Sequence, residues 1–193
     1  MPNFTAFLSY VFITTFTPGP NNIMAMSNAG RYGFKKSIPF NAGVFFGFLI
    51  IMVLSSFLSV TLYNLIPSIK PIMTFVGAVY ISWLAWKTYK SKPHNEEEQN
   101  HTNTFVAGLL LQFVNVKVII YCITIVSTFI VPYYKSYIAL SLFALFLPFI
   151  SFLSTCSWAM FGSLFQKFLV KNEKTVNIIM ALLLVYSALS FYL

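Results

Sequence analysis

The stretch Thr17-Pro18-Gly19-Pro20-Asn21-Asn22 interrupts the first long apolar segment of the chain. From Phe4 to Thr17 there are 14 residues. As a helix they reach about 21 Å, short of a hydrocarbon core about 30 Å thick, so in a membrane the break would lie at depth. Backbone groups beside such a break lose their helical partners, and hydrocarbon offers no water to replace them. The stretch therefore predicts a site against protein or a wet cavity; the alternative is a turn that ends a short first helix.

The composition places the whole chain in a membrane. Hydrophobic residues make up 58% of the 193 residues and charged residues only 8%, whereas a soluble domain carries about 25% charged residues. We expect a single transmembrane domain over residues 1–193, with no room for a soluble domain beside it. The start Met1-Pro2-Asn3-Phe4 has no basic region and no cleavage signal, so it does not resemble a removable signal peptide.

Six apolar segments predict six membrane spans: Phe4–Ala29, Pro39–Tyr63, Pro71–Trp86, Phe105–Val131, Tyr137–Phe161 and Val176–Leu193. The loops after spans 1, 3 and 5 hold nine basic residues: Arg31, Lys35, Lys36, Lys87, Lys90, Lys92, Lys167, Lys171 and Lys174. The opposite loops hold only Lys70 and Lys135. Under the positive-inside rule, both termini then face away from the cytoplasm. The net charge of +8 is explained by this topology and requires no nucleic-acid partner.

The longest polar stretch, at about residues 90–103, predicts a cytoplasmic linker. It contains Glu96, Glu97, Glu98 and both histidines, His94 and His101. Three spans lie on each side, so the second half is inverted relative to the first. The predicted fold is an all-α membrane protein of six helices in two inverted three-helix repeats, about 1–89 and about 104–193, with the first helix broken at Pro18-Gly19-Pro20. In transporters of this kind, broken helices of both halves form the site near the midplane.

The counterpart of the first break is Gln112-Phe113-Val114-Asn115-Val116-Lys117, at a similar depth in span 4. Lys117 is the only charged residue deep within a predicted span, where a lysine costs about 2.5–3.5 kcal/mol and requires a partner. The chain has no aspartate, and its four glutamates lie in predicted loops. One hypothesis is that the partner is the carboxylate of a zwitterionic substrate, assisted by the half-helix that begins near Asn21. The other is that Lys117 binds carbonyls exposed by the first break, and both roles could alternate.

Nine residues are accordingly candidates for substrate binding: Thr17, Pro18, Gly19, Pro20, Asn21, Asn22, Gln112, Asn115 and Lys117. Asn22, Gln112 and Asn115 would orient the amino group of the substrate. Lys117 is also the candidate coupling residue, alternating between neutral and charged forms, because the predicted spans contain no Asp, Glu or His to relay a proton.

Other classes fit the residues less well. An enzyme would need a nucleophile with a base, or a metal cluster, and the predicted spans lack His, Asp and Glu. We therefore expect no enzyme activity, no metal and no cofactor. Hydroxyls that follow Pro148 either satisfy carbonyls freed by this proline, which we favour, or line a path: Ser151, Ser154, Thr155 and Ser157. A pore, an importer, a membrane protein without transport activity and a homo-oligomer all stay compatible with the sequence.

Several motifs resemble the LysE/RhtB amino-acid exporters over the whole chain. They are Thr17-Pro18-Gly19-Pro20, Gly30 and Gly33 after it, Gly77-Ala78-Val79-Tyr80 leading to Trp83, and Asn115-x-Lys117. Most members have Asn-Pro-Lys in the fourth span, whereas this chain has Asn115-Val116-Lys117. The departure puts in doubt the full proline break that an inverted repeat would favour in the second half.

Further stretches are similar to family members that handle cysteine and O-acetylserine: Pro18–Ile23, Leu111–Lys117 and Ala181–Tyr186. The resemblance implies a secondary exporter in a bacterial inner membrane that moves these amino acids from cytoplasm to periplasm by alternating access, with protons entering in exchange. The alternative substrates are other small neutral amino acids such as homoserine or threonine.

Overall fold

The computed structural model describes residues 4–90 and 102–189, and the regular structure of these residues is helical, without strands. The helices in chain order are α1 (Phe4–Phe16), α2 (Pro20–Tyr32), α3 (Phe34–Phe57), α4 (Ser59–Lys90), α5 (Phe105–Val114), α6 (Val116–Ile125), α7 (Tyr137–Leu164), α8 (Gln166–Lys171) and α9 (Glu173–Leu189). A π-helical turn, Val126–Ile130, continues α6. Most of the predicted linker, with its glutamates and histidines, lies outside the described residues.

Two of these helices, α3 and α7, are long and apolar enough to cross a membrane, and α5 with Val116–Ile130 adds a third if the bent pair is one span. The outward faces are apolar as well: Leu142, Leu145 and Phe149 of α7 are exposed. A surface of this kind suits lipid, not water. The all-α membrane class is therefore confirmed, whereas six spans in inverted repeats stay a prediction.

The break in the first apolar segment is confirmed. Helix α1 ends at Phe16 and α2 begins at Pro20, with Gly19 in an extended conformation before it. Pro20 occupies the first position of α2, where a helix uses no amide hydrogen bond. In α2 every residue from Pro20 to Gly30 is buried, whereas α1 buries only Phe7 and Val11. The break thus joins a peripheral half-helix to one that runs through the interior.

A second break divides α5 from α6 at Asn115, and the two segments are bent by 66°. Asn115 has extended backbone angles, φ −84° and ψ 93°, and its carbonyl oxygen accepts the amides of Val118 and Ile119 at the start of α6. The second half therefore has a break at this point, although it lacks the proline that most family members have there. A tertiary hydrogen bond from the Asn115 side chain to Asn21 (3.1 Å) holds the extended residue in place instead.

The boundary between the second and third predicted spans was wrong. We expected a loop between Tyr63 and Pro71, but α3 ends at Phe57 and α4 has begun by Ser59. The turn falls at Leu58, where φ −108° and ψ 19° leave helical geometry. A proline removes one amide donor yet has a φ that a helix accepts, and Pro71 lies inside α4.

Glycines let backbones touch on two sides of the bundle. A β-carbon at Gly43 would overlap the carbonyl oxygen of Phe105, and one at Gly108 would overlap that of Phe40, so α3 and α5 are in backbone contact. On the other side, a β-carbon at Gly162 of α7 would overlap a carbonyl oxygen of α2. Small residues allow helices to approach this closely, and these contacts hold the helices around the two breaks.

Candidate functional site

A cavity with several polar lining residues lies where the two helix breaks meet. It encloses about 390 Å³ of space free of atoms, part of it open to the surroundings. Thirteen of the described residues line it: Thr14, Thr15, Thr17, Gly19, Pro20, Asn21, Asn22, Phe48, Asn115, Lys117, Val118, Tyr121 and Ser151. Seven of the nine candidate residues are among them. The other two, Pro18 and Gln112, do not line the cavity.

Three amide side chains join the breaks. Asn21 and Gln112 exchange hydrogen bonds, with Asn21 Nδ2 donating to Gln112 Oε1 (2.8 Å) and Gln112 Nε2 donating to Asn21 Oδ1 (3.1 Å). Asn115 Nδ2 donates to the same Asn21 oxygen at 3.1 Å. Gln112 also donates to the carbonyl of Gly108 (2.9 Å) and is fully buried. The Gln112 amide therefore joins the two helix breaks. This geometry gives no support to the expectation that Gln112 orients a substrate.

The end of α1 carries carbonyl oxygens that the break leaves without helical amide partners. The Asn22 side chain donates from Nδ2 to the carbonyls of Thr15 (2.9 Å) and Thr17 (3.0 Å). The Thr17 hydroxyl donates back to the carbonyl of Ile13 at 2.7 Å. Asn22 thus acts from the start of α2 as a cap on the end of α1, which stabilises the break in a medium without water.

Two residues of α7 complete this cap, and the sequence did not single them out for it. Ser154 Oγ donates to the carbonyl of Thr15 (3.0 Å), and Trp158 Nε1 donates to the carbonyl of Phe16 (3.3 Å). Ser154 lies 139 residues further along the chain than Thr15. The one available signal was the cluster of hydroxyls after Pro148, which we assigned to carbonyls of α7 itself.

Lys117 reaches from α6 to the first break. Its Nζ lies 3.0 Å from Thr17 Oγ1 and 3.4 Å from the Thr17 carbonyl oxygen, and donates to both. A β-carbon at Gly19 would lie only 3.2 Å from this Nζ, so the small residue leaves space for the ammonium. This is the contact that our second hypothesis for Lys117 described. No carboxylate of the chain lies in a predicted span, so the ammonium has only uncharged partners here.

Donor groups dominate one end of the cavity. The first residues of α2 and α6 line it, and neither helix start has a side-chain cap. A free helix start carries a partial positive charge and outward amides, which together with Lys117 favour an anion. Asn115 also lines the cavity, and its Oδ1 is buried and has no hydrogen-bond partner among the described residues. A cationic donor set beside one acceptor matches the charges of an α-amino acid.

The remaining wall is less polar. Phe48 of α3 and Val118 and Tyr121 of α6 contribute apolar and aromatic surface. Ser151 of α7 adds a hydroxyl. Among the described residues, no acidic side chain lines this cavity to act as a partner for a second, side-chain ammonium. Such a wall suits a short uncharged substituent.

An apolar helical bundle with a polar cavity between broken helices is the arrangement of membrane transport proteins. The sequence profile described as "LysE type translocator" matches residues 12–193, and the chain belongs to this family. It is 39% identical over 188 residues to proteins named "Cysteine/O-acetylserine efflux protein" from Escherichia coli (strain K12) and Shigella sonnei (strain Ss046), covering 97% of this chain and 96% of each relative. No solved structure matches the chain. The family and these names describe transporters, not enzymes.

Proposed function

We propose that the protein is a secondary exporter of small amino acids, with cysteine and O-acetylserine as its main substrates. It would work in a bacterial inner membrane, with both termini in the periplasm, and move substrate from cytoplasm to periplasm. Relatives that carry these substrates in their names match the chain nearly end to end. The cavity also has the charge pattern of an α-amino acid. Homoserine or threonine would fit the same charge pattern and are the alternative substrates.

The observation that carries the proposal is the position of Lys117, which bonds Thr17 across the meeting point of both helix breaks. Its ammonium has no carboxylate partner in the predicted spans. A substrate carboxylate would provide this partner. The backbone amides of Gly19 and Asn21 at the start of α2 would assist, whereas Pro20 has no amide hydrogen. The carboxylate of a bound amino acid would thus compensate the charge of the Lys117 ammonium, which otherwise has only the uncharged oxygens of Thr17 as partners.

The amino group of the substrate has two acceptors within the same cavity. One is Asn115 Oδ1, which is buried without a partner. The other is the Thr17 carbonyl, which is released when Lys117 turns towards the carboxylate. Of the three amides that we expected to orient the amino group, Asn115 is therefore the one with a free oxygen. Asn22 and Gln112 support it indirectly, by capping α1 and by joining the breaks.

Export by alternating access follows if the contacts at the breaks form and open in turn. We propose that Lys117 couples this cycle to protons, because the predicted spans offer no Asp, Glu or His for the purpose. Lys117 would release its proton to the cytoplasm after substrate binds, substrate would leave to the periplasm from the neutral form, and a proton taken up from the periplasm would restore the charge. The restored ammonium would then donate again to Thr17.

The experiment is uptake of labelled cysteine and O-acetylserine into inside-out vesicles, with and without an imposed proton gradient. The native protein should accumulate both compounds when the gradient is present, and Lys117→Met should not. Lys135→Met removes a lysine from a predicted periplasmic loop and is the matched control, with expected uptake like that of the native protein. Insertion and folding of each variant are checked by size-exclusion chromatography in detergent.

Lys117→Arg separates binding from coupling, because arginine keeps the charge and does not titrate. It should exchange substrate across the membrane yet fail to accumulate it. Uphill accumulation by Lys117→Arg would exclude the lysine as the proton carrier. Counterflow of preloaded substrate distinguishes a carrier from a pore, and absence of uptake of both compounds by the native protein would overturn the substrate assignment.

A further inference from the structure

Ser151 differs from the other hydroxyl residues in its part of α7. Thr155 donates to the carbonyl of Phe152 (3.0 Å) and Ser157 to that of Leu153 (2.7 Å). Ser154 donates to a carbonyl of α1. The Ser151 hydroxyl makes no hydrogen bond to any described residue, although the side chain is only 6% exposed. A hydroxyl without a partner in a buried residue requires an explanation.

Local geometry does not prevent the missing bond. Serine in a helix commonly donates to the carbonyl three or four residues earlier, and Ser157 and Ser163 of the same helix do so. For Ser151 those carbonyls belong to Leu147 and Pro148. Ser151 uses neither of them and lines the cavity. It is therefore available to a molecule inside the cavity.

The position of Ser151 indicates which part of that molecule it would meet. Lys117, Asn115 and the start of α2 provide the charged end, where the amino and carboxylate groups would bind. Ser151 enters from another helix, α7, and shares the cavity with the aromatic rings of Phe48 and Tyr121. An amino acid held by its charged groups would direct its side chain towards this less polar wall. The hydroxyl would then face the substituent that distinguishes one small amino acid from another.

We propose that Ser151 is a specificity-determining residue, whose hydroxyl donates a hydrogen bond to the ester carbonyl of O-acetylserine. This inference rests on the proposed function and adds a residue that recognises the substrate side chain. A hydroxyl can donate to an ester carbonyl, whereas a thiol is a weak acceptor and a weak donor. Ser151 therefore contributes to binding of O-acetylserine and little to binding of cysteine. An uncharged donor at this point is also compatible with short alcohols on the side chain.

The test compares O-acetylserine with O-ethylserine, an ether of nearly the same shape that lacks the carbonyl oxygen. Each compound competes with labelled cysteine in counterflow, in liposomes that contain the native protein or Ser151→Ala. For the native protein, half-inhibition should need about three- to tenfold more O-ethylserine than O-acetylserine, the usual range for one neutral hydrogen bond. In Ser151→Ala this ratio should fall to about one.

Ser157→Ala is the matched control, because it removes an exposed hydroxyl of α7 that bonds its own helix. It should leave the ratio at the native value. Ser151→Thr keeps a hydroxyl and should keep a ratio above one. If Ser151→Ala does not fold, the competition measured with the native protein still tests the proposal, because equal inhibition by O-acetylserine and O-ethylserine would overturn it.

The outcomes separate the two levels of inference. A native ratio that persists in Ser151→Ala would show that another group recognises the carbonyl, and the assignment of Ser151 would be wrong while the exporter stands. Absence of cysteine counterflow in the native protein would overturn the proposed function, and the role of Ser151 with it.

Discussion

Asn21 is the side chain on which the joint between the two helix breaks depends. It accepts hydrogen bonds from both Gln112 and Asn115 and donates one to Gln112, over distances of 2.8–3.1 Å. Asn21→Ala removes all three bonds. It leaves Gln112 Oε1 and Asn115 Nδ2 buried without partners, while Gln112 Nε2 keeps its bond to Gly108. We expect this single substitution to lower the free energy of unfolding substantially.

The magnitude follows from two estimates. Side-chain hydrogen bonds in membrane proteins average about 0.6 kcal/mol, so three of them amount to about 2 kcal/mol. Two buried polar groups without partners cost about 1–3 kcal/mol each, which gives about 2–6 kcal/mol. The first estimate coincides with the lower end of the second, and we therefore expect Asn21→Ala to lower the free energy of unfolding by about 2–4 kcal/mol.

The assay is equilibrium unfolding in mixed micelles of a mild detergent and sodium dodecyl sulfate, followed by circular dichroism. Asn172→Ala is the control, because that amide, just after the end of α8, donates only to the Phe168 carbonyl of α8 in an exposed hydrogen bond. A double-mutant cycle with Gln112→Leu should show a coupling of at least about 1 kcal/mol between Asn21 and Gln112. A loss below about 0.5 kcal/mol, as for an ordinary surface change, would refute the reasoning.

Three further predictions concern the backbone contacts, the cap and the site. Gly43→Ala should destabilise the protein by more than the roughly 1–3 kcal/mol that overpacking usually costs, because the new methyl group meets the Phe105 carbonyl and not a movable side chain. Thermal unfolding in detergent measures the loss of stability. Trp158→Phe removes the donor to the Phe16 carbonyl and should cost about 1 kcal/mol in the same assay, whereas an unchanged midpoint would count against the cap. Asn115→Leu should abolish binding of cysteine in a scintillation proximity assay, and retained affinity would exclude the free oxygen as an acceptor of the amino group.

The break at Pro18-Gly19-Pro20 could be predicted because its cause is local. Prolines remove amide donors wherever they occur, and the length of the segment before them set the depth of the break. The membrane class followed from composition in the same way. Local sequence was a less reliable guide where a helix can contain a proline. The sequence predicts that a span starts at Pro71, yet Pro71 lies inside α4 and the turn falls at Leu58.

The second break could not be predicted with the same certainty because its cause is distant. Asn115-Val116-Lys117 has no proline, and what holds Asn115 is a side chain 94 residues away in sequence. The cap on α1 has the same character. Ser154 and Trp158 reach carbonyls that no spacing or motif connects with them.

The candidate site likewise combines features that follow from the sequence with features that only the tertiary structure decides. The sequence alone determined that a lysine would lie at depth without a carboxylate partner, because residue types and hydropathy fix both facts before folding. Only the tertiary structure decided that Lys117 bonds Thr17, that Gln112 joins the breaks outside the cavity, and that Ser151 keeps a free hydroxyl inside it. Each of these outcomes depends on which acceptor lies within about 3 Å in the packed bundle. That distance is set by the contacts among α1, α2, α6 and α7, not by any stretch of the chain on its own.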